Sequence, residues 1–207
     1  MNIWERNRRM AEQYRQTHPP GTRIVLLDTS ETMQPVPIGT RGTIHFIDDQ
    51  SQLHMKWDNG RSLAVIPSED SFRKLTKEEI RSELENGKFD FVEMGDTPAL
   101  YCGKGYSQED MPEGLYCYYL KETLDRKRYE AVQTTPPQCF NGIVITTQSL
   151  PFEENTEIRF NPDTEPDFTG EYMSLEQFNE KYGMTAGQES DEMEDMTEDN
   201  TGPVMGM

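Results

Sequence analysis

Little in this chain marks an enzyme, a secreted protein or a membrane protein. Its three cysteines, Cys102, Cys117 and Cys139, are spaced 15 and 22 apart with no Cys-x-x-Cys pair. Zinc ribbons and dithiol redox motifs are thereby excluded, and the odd count fits a reducing compartment better than a disulfide framework. No window approaches the ~18 apolar residues needed to cross a bilayer. The opening MNIWERNRRMAEQYRQ lacks the apolar stretch of a secretory signal. A cytoplasmic protein without membrane contact is expected. A phosphate-cradling loop is missing too, since Gly103-Lys104-Gly105 has neither the length nor the Ser/Thr of one. Hydrophobic residues make up 33% of the chain, well under the roughly half of an ordinary globular chain. Part of the chain is therefore expected to stay in solvent.

What is abundant is negative charge, and it is unevenly placed. The net is +1 over residues 1–75, −12 over 76–184 and −7 over 185–207. A field of that sign repels phosphate backbones at long range, so nucleic-acid contact would have to be local to residues 1–75.

A length of 207 residues suits two domains. Residues 1–18 read as a basic helix, with Ile3, Met10 and Tyr14 on one side and Arg6, Arg8, Arg9 and Arg15 beside them. His18-Pro19-Pro20-Gly21 ends it. The period then changes to that of strands. Thr22–Asp28, Gly42–Asp48, Gln52–Asp58 and Arg61–Ile66 are the strand candidates, and Asn59-Gly60 reads as a type I′ turn. A single 3₁₀ turn is expected at Glu69–Phe72. So many short strands in about 50 residues hide their edges only by closing into a barrel.

If Asp49-Gln50 form the middle turn, Phe46 faces Leu53 and Ile44 faces Met55, with Trp57 on the same apolar side. The other side pairs Thr43 with Lys56 and His45 with His54.

Thr76-Lys77-Glu78-Glu79 is a capping box that opens a linker helix over 76–87, closed by Asn86-Gly87. An acidic α+β module over 88–184 follows. Its strands are read at Phe89–Met94, Ala99–Cys102, Gly114–Lys121, Tyr129–Thr134 and Gly142–Thr147, and Ser174 caps a last helix, Leu175–Tyr182. Residues 185–207 hold no aromatic residue and only Val204 as a β-branched aliphatic. Such a segment cannot bury enough surface to order itself.

Pro19-Pro20-Gly21-Thr22-Arg23-Ile24, Pro37-Ile38-Gly39-Thr40-Arg41-Gly42-Thr43, Trp57-Asp58-Asn59-Gly60-Arg61-Ser62-Leu63, Ile66-Pro67 and Asp70-Ser71-Phe72 together resemble an uncharacterised SH3-like-barrel family of bacterial mobile elements and phages. Pro112-Glu113-Gly114-Leu115-Tyr116-Cys117-Tyr118-Tyr119-Leu120, Asn141-Gly142-Ile143-Val144-Ile145, Leu150, Phe168-Thr169-Gly170-Glu171 and Ser174-Leu175 resemble a large polyvalent protein-associated domain. The resemblance implies a mainly β fold with short helices. An SH3-like small barrel over 19–75 would be followed by an α+β domain and a disordered acidic tail. It implies a mobile-DNA context and no catalytic residue set.

Candidate sites are few. His45 and His54 across a hairpin would hold Zn²⁺ or Cu²⁺ only with a third ligand, and no Cys or carboxylate is fixed in their row. They are read as two half-exposed histidines, with no metal and no cofactor expected. Arg6, Arg8, Arg9, Arg23, Arg41, Lys56 and Arg61 form a candidate nucleic-acid or partner surface. Tyr116, Tyr118 and Tyr119 are a candidate partner contact, weighed against lining the core. Glu153-Glu154 and Asp163, Glu165 and Asp167 lack the spacing of a Ca²⁺ loop and are read as solvated charge. Cys102 and Cys117 lie in strand patterns and are expected as small buried hydrophobes.

The reading that follows is a non-enzymatic accessory protein of a mobile element or phage that works by protein–protein contact. The alternatives are a nucleic-acid binder acting through residues 1–75 and an acidic DNA mimic that blocks a host defence protein.

Overall fold

The computed structural model describes residues 2–94, 97–122, 129–132, 138–150, 157–158 and 168–183. The expected tail at 185–207 and the expected solvated charges Glu153, Glu154, Asp163, Glu165 and Asp167 lie outside the described residues. No described helix is long and apolar enough to cross a membrane.

Helix α1 (Ile3–Thr17) opens on a capping box between Asn2 and Glu5. It lies on the first sheet through buried Ala11 and half-buried Tyr14, whose ring meets Phe72. That sheet holds β1 (Arg23–Asp28), β2 (Arg41–Ile47), β3 (Leu53–Trp57) and β4 (Ser71–Lys74) in the antiparallel order β3-β2-β1-β4. Val65 exchanges both backbone hydrogen bonds with Leu53 at 2.9 Å and curls the sheet over its core. Ile24, Leu26, Val36, Ile44, Ile47, Leu53, Met55, Trp57 and Val65 fill that core. Gly42 sits where a Cβ would come within 2.7 Å of the Trp57 ring.

The hairpin register differs from expectation at one place. Gly42, Thr43 and Ile44 pair with Trp57, Lys56 and Met55 as expected, but a bulge at His45 then sets Phe46 opposite His54 and Ile47 opposite Leu53. Ile47 therefore takes the core position expected for Phe46. The cause is the loop, which is longer than a two-residue turn. Asp48 Oδ1 accepts the amides of Gln50 and Gln52, both at 2.9 Å, and Ser51 adopts a φ of 65°. The strand expected at Arg61–Ile66 is reduced to the single bridge at Val65. The Leu63 carbonyl is instead taken by the indole N–H of Trp57 at 2.7 Å. The turn expected at Glu69–Phe72 falls earlier, where the amides of Glu69 and Asp70 both bond the Ile66 carbonyl, and Ser71 already begins β4.

Helix α2 (Lys77–Glu85), capped by Thr76, leads into the second sheet. Its strands are β5 (Phe89–Met94), β6 (Thr97–Cys102), β7 (Tyr116–Glu122), β8 (Tyr129–Val132), β9 (Gly142–Thr146), β10 (Glu157–Ile158) and β11 (Phe168–Met173). They run antiparallel in the order β10-β8-β7-β9-β6-β5-β11. The edge strands β10 and β11 carry no alternating signal and were not expected. A 3₁₀ turn (Gln108–Asp110) and α3 (Leu175–Tyr182), capped by Ser174, join α2 on one face. There Leu84, Phe91, Leu100, Leu115, Tyr119, Phe140, Ile143, Leu175 and Phe178 form the larger core. The opposite face is apolar as well, with Tyr118, Leu120 and Val144 buried together. Alternate residues of β7 thus serve two different cores.

A candidate functional site at the seam of the two modules

The modules meet along a seam built from residues far apart in sequence. Arg23 of β1 is its centre, with a side chain 0% exposed. Its guanidinium donates to Asp58 at 2.8 and 2.7 Å and to Glu83 of α2 at 3.1 and 2.8 Å. Glu83, 9% exposed, also accepts from Arg41 at 3.1 Å and from the Tyr106 hydroxyl at 3.0 Å. Burial opposes the charge on Arg23, but the hydrogen bonds and charges of Asp58 and Glu83 outweigh it and raise its pKa. Burial likewise pushes Glu83 up, and the Arg23 contact overrides it, holding the carboxyl below its ordinary value. Outside this core, bonding to Arg73 holds the half-exposed Glu79 at about 2.

Two glycines let the backbones touch. A Cβ on Gly105 would lie 1.7 Å from the Gly21 carbonyl oxygen, and the Gly105 amide donates to Thr43 Oγ1 at 3.2 Å. At the other end of the seam, the Phe140 amide bonds the His45 carbonyl at 2.7 Å, and Lys56 Nζ reaches the Asn141 carbonyl at 3.2 Å. Here Cys139 Sγ lies 2.9 Å from His45 Nε2.

This geometry redistributes the residues expected to form a basic surface. Arg23, Arg41 and Lys56 are removed from it, because each is turned into the seam and engaged with an acceptor. Arg61 bonds the carbonyls of Gln34 and Pro35. Arg6, Arg8 and Arg9 stay exposed on α1, with Arg8 over the Trp4 ring at 5.5 Å. The tyrosines are corrected as well. Tyr118 and Tyr119 are buried in the two opposite cores, and Tyr116 is half-buried against the smaller one. Apolar demand on both sheet faces left no outward row.

The His45/His54 pair does not face across the strands. The bulge inserts Phe46, which stacks on His54 with centroids 4.1 Å apart. A carboxylate does reach that row, since Asp48 Oδ2 lies 2.9 Å from His54 Nε2. Among the described residues no three His, Cys, Asp or Glu side chains gather as a metal site. Cys117 is buried and Cys102 half-buried in their strands, and burial raises both thiols, Cys102 to about 11.

Beside the seam, α2, the 3₁₀ turn and α3 enclose a groove of about 550 Å³. Leu84, Met111, Leu115 and Leu175 form its apolar floor. The rim carries Glu85, Glu109, Asp110 and Glu176 against the single cation Arg81. A second cleft of about 760 Å³ continues from it, between Pro19–Arg23 of the barrel and Gly105–Asp110 of the second module. Sequence reasoning missed this groove, because its three walls come from residues 81–85, 109–115 and 175–179.

No curated protein and no solved structure matches the chain. Family models account for the modules one at a time, and the first reaches back into α1. Residues 7–75 match the family model of a domain of unknown function (DUF4314), and residues 85–180 match that of large polyvalent protein associated domain 28.

Proposed function

We propose that this is a non-enzymatic binding protein of a bacterial mobile element or phage, acting through protein–protein contact at the groove between α2 and α3. One observation carries the reading. An apolar floor is ringed by four carboxylates and one guanidinium, in a chain of net charge −18. That chemistry suits a cationic partner segment with apolar side chains on one face. The seam supports the same reading, because a buried ionic contact between modules keeps the groove walls from the linker helix and the second sheet in one place.

The test is fluorescence anisotropy with two amphipathic peptides of equal length, one Lys/Leu and one Glu/Leu. The Lys/Leu peptide binds, its affinity falls with salt, and Glu109→Lys with Glu176→Lys weakens it at least ~10-fold, about 1.4 kcal/mol. Equal binding of both peptides, or indifference to the double substitution, would sink the reading.

A second reading rests on α1, where Arg6, Arg8 and Arg9 are exposed beside Trp4 and Ile3, themselves 55% and 72% exposed. This basic–aromatic end suits nucleic acid. Retention of a labelled duplex that is lost with Arg8→Glu would favour it over the groove.

A further inference from the structure

We propose that Cys139 is a nucleophilic thiol, set against the imidazole of His45 for exchange with a low-molecular-weight disulfide, and that the adduct loosens the module seam. The placement comes from three contacts. Cys139 Sγ lies 2.9 Å from His45 Nε2. The segment before β9 that carries Cys139 is held to β2 by the Phe140 amide on the His45 carbonyl at 2.7 Å. Lys56 reaches the Asn141 carbonyl at 3.2 Å and covers the Phe140 ring at 5.6 Å. A base and a cation therefore flank one thiol, the arrangement that activates a cysteine nucleophile.

The surroundings support each role. Burial, then the charges of Lys56 and His54, lower the His45 pKa, so the ring is neutral at pH 7 and its Nε2 accepts a proton. Lys56 is also lowered by burial, and its interaction with Cys139 acts in the opposite direction, favouring the pair of ammonium and thiolate. Cys139 and Cys102 are both half-buried, but burial raises the thiols of Cys102 and Cys117 and keeps them protonated.

The step balances without any other reagent. The Sγ proton passes to His45 Nε2, and the thiolate attacks one sulfur of the disulfide. That S–S bond breaks as the Cys139 mixed disulfide forms, and the departing thiolate takes the proton from His45. Cys139 is oxidised and the small disulfide is reduced to one thiol and one protein-bound half. The new group occupies the space between β2 and the residues before β9, where the modules touch.

The experiment uses the full chain and glutathione disulfide at pH 7, followed by intact mass and peptide mapping. Cys139 is expected to take the adduct roughly tenfold faster than Cys102 or Cys117, and His45→Gln to remove that advantage. Because His45→Gln also touches the seam, the native chain is compared with the urea-unfolded chain. Faster reaction of Cys139 in the native state supports activation. Slower reaction, or a rate indifferent to His45→Gln, overturns it. The glutathionylated chain is expected to melt below the reduced one, and an unchanged midpoint would overturn the link to the seam.

Discussion

Replacing Glu83 by Gln would test whether the seam holds the protein together. The substitution keeps shape and one carbonyl acceptor but removes the negative charge from beside a guanidinium whose side chain is 0% exposed. Removing one partner of a buried ion pair costs about 3–5 kcal/mol when the other is stranded. Here Arg23 keeps Asp58 at 2.8 and 2.7 Å, and the amide keeps one hydrogen bond, which brings the expected loss to about 2–3 kcal/mol. For a chain of this length that is roughly 5–10 °C in melting temperature.

The pH dependence gives an independent reading. The folded-state pKa of Glu83 lies below its unfolded value of 4.5, so its contribution is fully present above pH 4.5. It is lost as pH falls through the lowered folded value. The Gln variant should therefore be less stable at neutral pH and show a shallower acid limb below pH 4.5. The assay is urea unfolding followed by far-ultraviolet circular dichroism, repeated from pH 7 to pH 3. A loss under ~0.5 kcal/mol at pH 7 with an unchanged acid limb would refute the claim that this pair anchors the seam.

Other perturbations probe the same contacts. Gly105→Ala drives a Cβ to 1.7 Å from the Gly21 carbonyl oxygen, and neither backbone can turn aside as a side chain would. It should cost at least about 3 kcal/mol and split one calorimetric transition into two; a single unshifted transition would show that the backbones do not need to touch. His45 and His18 both have folded pKa values lowered, mainly by burial, from 6.5. Stability should hold above pH 6.5 and decline as pH falls through the lowered values, and His45→Gln should flatten its part of that decline in the same urea series.

The helices were legible because their signals are local. Thr76 with Glu79 and Ser174 with Gln177 close their caps within four residues, and the structure places both as read. The strands of the second sheet were legible where apolar runs are dense, in β5, β7 and β9. They were missed in β11, which is exposed along most of its length. The hairpin register held as far as Ile44 and failed at His45, because the deciding contacts are those of Asp48 with two amides in the turn. Alternation of side chains carries no trace of such a loop.

The site was nearly invisible for a different reason. Arg23 and Glu83 are 60 residues apart, Thr43 and Gly105 are 62, and His45 and Cys139 are 94. An arginine inside a strand looks the same in sequence whether it faces water or a buried carboxylate.

The two family matches leave residues 76–84 unclaimed. That short gap holds Glu79 and Glu83, which answer Arg73, Arg41 and Arg23 of the barrel. Two of the carboxylates that answer the first module's arginines thus lie between the two matches, while Asp58 lies within the first. Without α2, Arg23 would keep Asp58 and lose the other of its two carboxylates. A boundary for the first module drawn at residue 75 therefore leaves out part of the charge balance of Arg23, and a fragment cut there lacks an acid that the full chain supplies from α2.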